Sequence, residues 1–325
     1  MMVKHATTTK LGTANVAVDA VSLGTAALGG LYRSVPDADV ASLFDTAFDA
    51  GISLFDTAPQ YGHGKAEQRL GAHLSGRDRD SYKISTKVGR LVVDDPDADT
   101  GIFADANPSR LEFGYDRDSV LRSLEESLVR LGLDRVDIAL IHDPDDHADQ
   151  AIEEAYPTLA ELRDQGVVGA IGVGMNQSAI PTRFVEETDI DLVLLAGRYT
   201  LLDQTALDDL IPVARANDVS IMIGGVFNSG VLVDPDNAPM FNYGPASDDV
   251  VARANALAAV CARHDVPLAQ AALAFPYREP SVVTVLLGAR NGDELQQSLA
   301  MVQQGVPDEL WTELREEGLI HELDY

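Results

Sequence analysis

Short apolar runs alternate with longer stretches in which apolar positions recur every three or four residues. The runs cover residues 21–29, 52–58, 82–89, 136–143, 169–175, 191–197, 220–225 and 282–288. Helical periodicity follows them, most clearly over residues 37–50, 118–131, 151–165, 204–217, 247–264 and 293–304. Strands buried on both faces read as continuous Val/Ile/Leu runs, and alternation with helices implies parallel strands joined by crossovers. Eight such units predict a (β/α)8 TIM barrel, a fold of about 250 residues before insertions. The chain has 325 residues, and the surplus has places to go. Segments 91–115 and 227–246 read as insertions, 10–18 as an N-terminal hairpin and 307–319 as a C-terminal helix. An open doubly wound sheet is the rival, but "LGTAALGG" after the first run lacks the GxGxxG spacing of that fold. No low-complexity or proline-rich stretch divides the chain, so a single domain over residues 1–325 is expected.

Charge narrows the partners. Against 24 basic residues stand 52 acidic ones, a formal net charge of −28. Such a surface repels phosphate backbones and anionic lipid, so neither nucleic acid nor membrane is expected as a partner. Lysine is scarce and the carboxylates are scattered through the helices, as in proteins adapted to high salt. The first residues, "MMVKHATTTKLG", form no apolar signal region, and no run approaches about 18 apolar residues. A cytoplasmic protein is expected. The one cysteine, Cys261, sits in a helical apolar pattern and reads as packing.

In a (β/α)8 barrel the reactive groups sit at the C-terminal ends of the strands. There the second run closes on Asp56 with Tyr61 just beyond, the third on Lys87 and the fourth on His142. Singly, each has an ordinary structural use as a helix cap, a snorkelling cation or a loop histidine. Together they form a device. A phenol of ordinary pKa about 10 becomes useful near neutrality when an ammonium lowers it, an aspartate can hold that ammonium, and a histidine can orient a carbonyl or hydroxyl. No metal-ligand spacing, GxSxG elbow or P-loop competes.

The stretches "LFDTAPQYGHGKAEQRLG", "KISTKVG", "SLEESLVRLGLDRVDIALIHDPD", "LRDQGVVGAIGVG" and "VLLGARNGDELQQSL" resemble, in order and along the chain, the aldo-keto reductase superfamily. That resemblance implies a nicotinamide dinucleotide at the top of the barrel and places the family's catalytic tetrad on Asp56, Tyr61, Lys87 and His142. Within the superfamily, "GTAALGGLY", "AGRYTLLDQ", "GGVFNSGVL", "FNYGPA" and "HDVPLAQAALAFP" are similar to the branch of D-threo-aldose 1-dehydrogenases, which includes L-fucose dehydrogenase and lies beside pyridoxal 4-dehydrogenase.

The resemblance also implies cofactor contacts from Gly24 and Thr25, from Asn176, from Tyr199, and from the turn Gly225, Val226, Phe227, Asn228, Ser229 and Gly230. Gly288, Ala289, Arg290 and Glu294 follow the eighth run, where NADPH-using relatives place cations for the 2′-phosphate. A glycine and a glutamate at those cation positions favour NAD, while Arg290 argues for NADP. Two positions depart from the family pattern: "GMN" replaces an "SN" pair, and Ala196 replaces a glutamine. Arg198 is a candidate for sugar hydroxyls or for pairing with a loop carboxylate, and Phe113, Tyr115, Phe241 and Tyr243 are candidate pocket walls.

The function implied is oxidation of an aldose at C1 to its lactone, with Tyr61 made more acidic by Lys87 and accepting the anomeric proton. A general aldehyde or ketone reductase using NADPH and a pyridoxal dehydrogenase are the enzymatic alternatives. A nucleotide-sensing binding subunit, like the potassium-channel β subunits, is the alternative of another class. The small-molecule substrate is a sugar or aldehyde in the favoured reading, and the oligomeric state is open.

Overall fold

A computed structural model describes residues 8–237 and 239–322. Eight parallel strands close into a barrel in sequence order: β1 (Val21–Gly24), β2 (Leu54–Asp56), β3 (Lys83–Val88), β4 (Ile138–His142), β5 (Ala170–Met175), β6 (Leu192–Ala196), β7 (Ser220–Gly224) and β8 (Val282–Gly288). Each pairs with its successor, and β8 closes on β1 with Gly288 opposite Gly24. Side chains alternate across every strand. Leu54, Ile138, Leu140, Leu192, Leu194, Met222 and Leu286 meet inside the barrel, whereas Phe55, Ala139, Ile141 and Val193 belong to the core between strands and helices. Continuing the inward alternation by two residues puts Asp56 after Leu54 and His142 after Leu140, so the inward face of β2 and β4 ends in polar groups.

The opposite end of the barrel is plugged. The hairpin Thr8–Lys10 with Ala17–Asp19 delivers Leu11, Ala14, Val16 and Val18 to the interior cluster, and Gly12 N–H donates to Ser220 Oγ at the start of β7. With one end filled by apolar side chains, the strand C-termini are left as the open face.

Several elements differ from their sequence-predicted bounds for local reasons. The first run stops as a strand at Gly24, because Thr25 turns the chain by donating both its N–H and its hydroxyl to the Asp56 carbonyl. The segment 151–165 divides into a π-helical turn, Ala151–Ala155, and the α-helix Tyr156–Asp164. Pro157, which has no N–H to donate, sits at that junction. Segment 204–217 breaks into the 3-10 turn Thr205–Leu207 and the helix Leu210–Ala216, restarted where the Asp209 carboxylate accepts the Leu210 N–H. The insertion after β3 contains an antiparallel hairpin, Arg90–Asp94 with Ser109–Phe113. The insertion after β7 holds the two-residue strands Met240–Phe241 and Gly244–Pro245. A C-terminal helix spans Asp308–Glu316. Among the described residues no helix is long and apolar enough to cross a membrane.

Candidate active site

Register brings the polar strand ends together. Asp56 pairs with Ser85 across β2 and β3, so Lys87 lies one inward position farther along and its side chain leans back toward Asp56. The Lys87 ammonium donates to Asp56 Oδ2 at 2.7 Å, to the Thr57 carbonyl at 2.9 Å and to the Tyr61 phenol oxygen at 3.1 Å. The other Asp56 oxygen accepts from Ser85 Oγ at 2.8 Å. Both side chains of the Asp56–Lys87 pair are about as inaccessible as the apolar core, with 2% and 1% of their surface exposed. The His142 ring meets the Tyr61 ring edge-on, centroids 5.9 Å apart.

Electrostatics follow from this burial. Desolvation raises Asp56 above the ordinary carboxylate range, against the opposing charge and hydrogen bond of Lys87. Desolvation depresses Lys87, but Asp56 and Tyr61 outweigh it and hold the ammonium above its ordinary value. With every ammonium proton matched to an oxygen and both carboxylate oxygens accepting, the geometry is that of an ionised pair. Tyr61 corrects the sequence expectation: burial raises the phenol above 10, and Lys87 only counteracts that rise. His142 is held well below its ordinary value by burial and by the charges of Lys87 and Arg90, so its imidazole is neutral. Its Nδ1 is buried with no hydrogen-bond partner.

A cavity of about 320 Å³ opens above these groups. Tyr61, Lys87 and His142 form its floor; Gly174, Met175, Asn176, Leu194 and Ala196 form one wall; Ile102, Phe103 and Tyr243 from the two insertions overhang it with Leu31. Arg90 and Asp143 complete it, joined by an Arg90 to Asp143 Oδ2 hydrogen bond of 3.0 Å. The sequence reading missed this pair. The signal available was adjacency: Asp143 follows His142, and Arg90 follows the glycine that ends the third run.

The residues assigned to a dinucleotide divide. Gly24, Asn176, the turn at 225–230 and Gly288 lie at or beyond the C-terminal ends of β1, β5, β7 and β8, on the same rim as the cavity. In that turn Gly225, Asn228, Ser229 and Gly230 all have positive φ, from 46° to 108°, and the N–H groups of Asn228 and Gly230 close the turn on the carbonyl oxygens of Gly225 and Phe227. Space lies open over Gly230 and Gly288, where an added Cβ would meet nothing within 4 Å. The orphaned His142 Nδ1 and the open space over these glycines fit a flat cofactor laid along the rim.

Other assigned residues also carry structural roles. Tyr199 is fully buried and packs on Phe275, centroids 5.1 Å apart, so it is a core residue and does not line the cavity. Arg198 pairs with Asp203 at 2.9 Å, the loop-carboxylate alternative, and is not among the residues that line the cavity. Thr25 is buried with its hydroxyl engaged, as described above. Asn228 braces its loop through Thr200 and the Gly197 carbonyl, and Val226 and Ala289 are buried. Glu294 accepts from the Arg290 N–H at 2.9 Å and lies near the guanidinium groups of Arg33 and Arg290. Of the candidate aromatic walls, Tyr243 lines the cavity, Tyr115 is buried beneath it, Phe113 is exposed and Phe241 packs on the core.

Comparison with known proteins agrees with this architecture. The aldo/keto reductase family model matches residues 20–317. A D-threo-aldose 1-dehydrogenase of a Pseudomonas species is 39% identical over 316 residues, covering 94% of this chain and 96% of the relative. The pyridoxal 4-dehydrogenase of Microbacterium luteolum is 39% identical over an alignment of 333 residues, covering 95% and 97%. In fold, an aldo-keto reductase of Bacillus halodurans superposes with a TM-score of 0.77 at 21% identity, covering 99% of this chain and 98% of that one. A family match over almost the whole barrel, with relatives at this identity along nearly the full length, settles the affiliation: the chain belongs to the aldo/keto reductase family.

Proposed function

We propose that this oxidoreductase oxidises an aldose at C1 to the lactone, with Tyr61 as the proton-transfer group and NAD as the preferred nicotinamide. The observation that carries the reading is the Lys87 ammonium held 2.7 Å from Asp56 and 3.1 Å from the Tyr61 phenol, at the floor of a cavity of sugar size. The name of the D-threo-aldose 1-dehydrogenase relative supports the substrate class.

A nicotinamide dinucleotide bound along the rim supplies the hydride acceptor. Gly24, Asn176, the turn residues Gly225, Ser229 and Gly230, and Gly288 with Arg290 would hold it. The chain's own contribution is proton control. Lys87 donates to the phenol oxygen and lowers the cost of the phenolate that burial raises, and that phenolate takes the proton of the anomeric hydroxyl. The neutral His142 imidazole hydrogen-bonds the same substrate oxygen and does not compete for the proton, since burial keeps it uncharged. Ile102, Phe103 and Tyr243 cover the floor and exclude water. In reverse, Tyr61 returns the proton to a carbonyl oxygen, help worth about 10² to 10⁴-fold.

A second reading, pyridoxal oxidation, is favoured by the equal 39% identity of the pyridoxal 4-dehydrogenase and by the aromatic overhang of the cavity. Turnover with NAD and NADP against a panel of aldoses, pyridoxal and simple aldehydes, in dilute and molar salt, separates the two. The aldose reading expects the highest kcat/KM on a sugar with lactone as product. Pyridoxal preferred over every sugar would overturn it.

A further inference from the structure

We infer that the Arg90–Asp143 ion pair reads a hydroxyl group on the substrate carbon next to the reacting one, and so selects hydroxylated substrates over plain aldehydes. The inference builds on the aldose reading and names what in the cavity would enforce it.

Both side chains line the cavity beside Tyr61, Lys87 and His142, with 14% and 17% of their surface exposed. Neither has its hydrogen-bonding capacity filled. The Arg90 guanidinium donates to Asp143 Oδ2 at 3.0 Å and also lies in hydrogen-bonding reach of the Tyr115 hydroxyl, while its Nε is buried without a partner. A desolvated cation and anion with spare donors and acceptors are costly to leave so, and a ligand that completes their bonds is favoured. A hydroxyl has the matching chemistry, because it accepts from the guanidinium and donates to the carboxylate at once. An alkyl or aryl group can do neither and would leave the pair unsatisfied.

The fold holds the pair at fixed places. Asp143 sits in the left-handed region at φ 37°, which is uncommon for a residue other than glycine, and its N–H donates to the Gly174 carbonyl at 3.0 Å. The Tyr115 hydroxyl is shared between the carbonyl oxygens of His142 at 2.8 Å and Asp143 at 3.0 Å. The same ring packs on Gly89, directly before Arg90, where φ is +102° and a Cβ would collide with it. One buried tyrosine therefore fixes the backbone on both sides of the pair. On its outer side the Arg90 guanidinium lies over the Phe113 ring, 5.1 Å from its centroid. The pair is also next to the chemistry, with Asp143 Oδ2 3.6 Å from His142 Nε2.

The test measures selectivity. With cofactor saturating, kcat and KM are determined for glyceraldehyde and propanal in reduction, and for an aldose and its 2-deoxy analogue in oxidation, in wild type, Asp143→Asn and Arg90→Lys. The wild type is expected to favour each hydroxylated member by tenfold or more in kcat/KM. Each variant should bring that ratio to within about threefold of unity, mainly through KM of the hydroxylated member. Any electrostatic effect on Tyr61 is common to both members and cancels in the ratio. Asp143→Asn is nearly isosteric and keeps the test open should Arg90→Lys fold poorly. Ratios unchanged in the variants, or a wild type blind to the hydroxyl, would overturn the inference. If no aldose is oxidised but glyceraldehyde still beats propanal through this pair, the aldose reading fails and the inference stands.

Discussion

The Lys87 ammonium donates to the Tyr61 phenol oxygen at 3.1 Å with its other two protons already placed, on Asp56 and on the Thr57 carbonyl. Tyr61 oxygen is therefore an acceptor toward the barrel floor, and its own proton is directed elsewhere, toward the cavity that it lines. Lys87 thus opposes the rise that burial imposes on the phenol and offers it no competing base.

Tyr61→Phe removes the transferable proton and little else. We expect kcat to fall by at least the factor of about 10² that general acid-base help supplies, with cofactor affinity, read by fluorescence titration, within threefold of wild type. A variant that kept a tenth of the wild-type rate would remove Tyr61 from the reaction.

Lys87→Met acts on the same phenol from below. Burial raises the Tyr61 pKa and Lys87 opposes that rise, so losing Lys87 moves the phenol higher still. Residual oxidation should climb with pH beyond the range where the wild type has levelled off, and a flat profile would contradict the coupling. The variant also strands the buried Asp56, a loss of about 3–5 kcal/mol when one partner of a buried pair is removed. Asp56→Asn combined with Lys87→Met should recover part of that stability and none of the activity.

His142 gives a stability signal of known sign. Its folded pKa lies well below the ordinary 6.5, so between those values the folded state binds fewer protons than the unfolded one. Stability rises with pH across that window and is lost as pH falls below about 6.5, by up to about 1.4 kcal/mol per pH unit. Asp143 works in the opposite sense: burial pushes it up to about 6 from 3.8, so the folded state takes up its proton first and acid relieves the cost. His142→Gln keeps Asp143, which makes it the right comparison. Its urea midpoint should drop less than that of wild type between about pH 7.5 and pH 5.5. Equal drops would mean that the imidazole titrates normally.

The strands and the polar residues that end them were legible because each is local in sequence. A strand with two buried faces is a run of apolar residues, and the polar residue that ends it, such as Asp56 or His142, marks the open end of the barrel. Three helices were not singled out: Lys65–Leu74, Ala179–Glu187 and Leu268–Ala274. They are short, and the last is so rich in alanine that no polar face alternates with an apolar one. Arg90 and Asp143 stand 53 positions apart, and their pairing depends on β3 lying beside β4, which no local pattern reports. Tyr199 shows the converse, since residue type suited either a groove or a packed core and tertiary placement buried it.

The charge of −28 predicts a dependence on salt. Self-repulsion among excess carboxylates is relieved as counter-ions screen it, with a screening length of about 10 Å at 0.1 M and about 3 Å at 1 M. Melting temperature and activity should both rise from dilute buffer into molar potassium chloride. Highest stability in dilute buffer would make the acidic surface irrelevant to adaptation.

Choice of nicotinamide turns on Glu294. The first turn of the helix Gly292–Gln304 places this carboxylate on the Arg290 N–H at 2.9 Å, with the Arg33 guanidinium at 3.5 Å and that of Arg290 at 3.7 Å. Two cations that could serve a 2′-phosphate are thus engaged by one carboxylate, and that carboxylate repels the phosphate itself. A ribose hydroxyl carries no such charge and can donate to the glutamate, as in dinucleotide-binding sheets. The wild type is therefore expected to prefer NAD. Glu294→Gln removes the repulsion and releases Arg33 and Arg290 together, so the ratio of kcat/KM for NADP over NAD should rise by tenfold or more, about 1.4 kcal/mol. Adding Arg33→Ala to that variant should give back part of the gain, which separates a released cation from mere loss of a negative charge. A wild type that already prefers NADP tenfold would show that the phosphate captures Arg290 despite Glu294, and the preference argued from this carboxylate would be wrong.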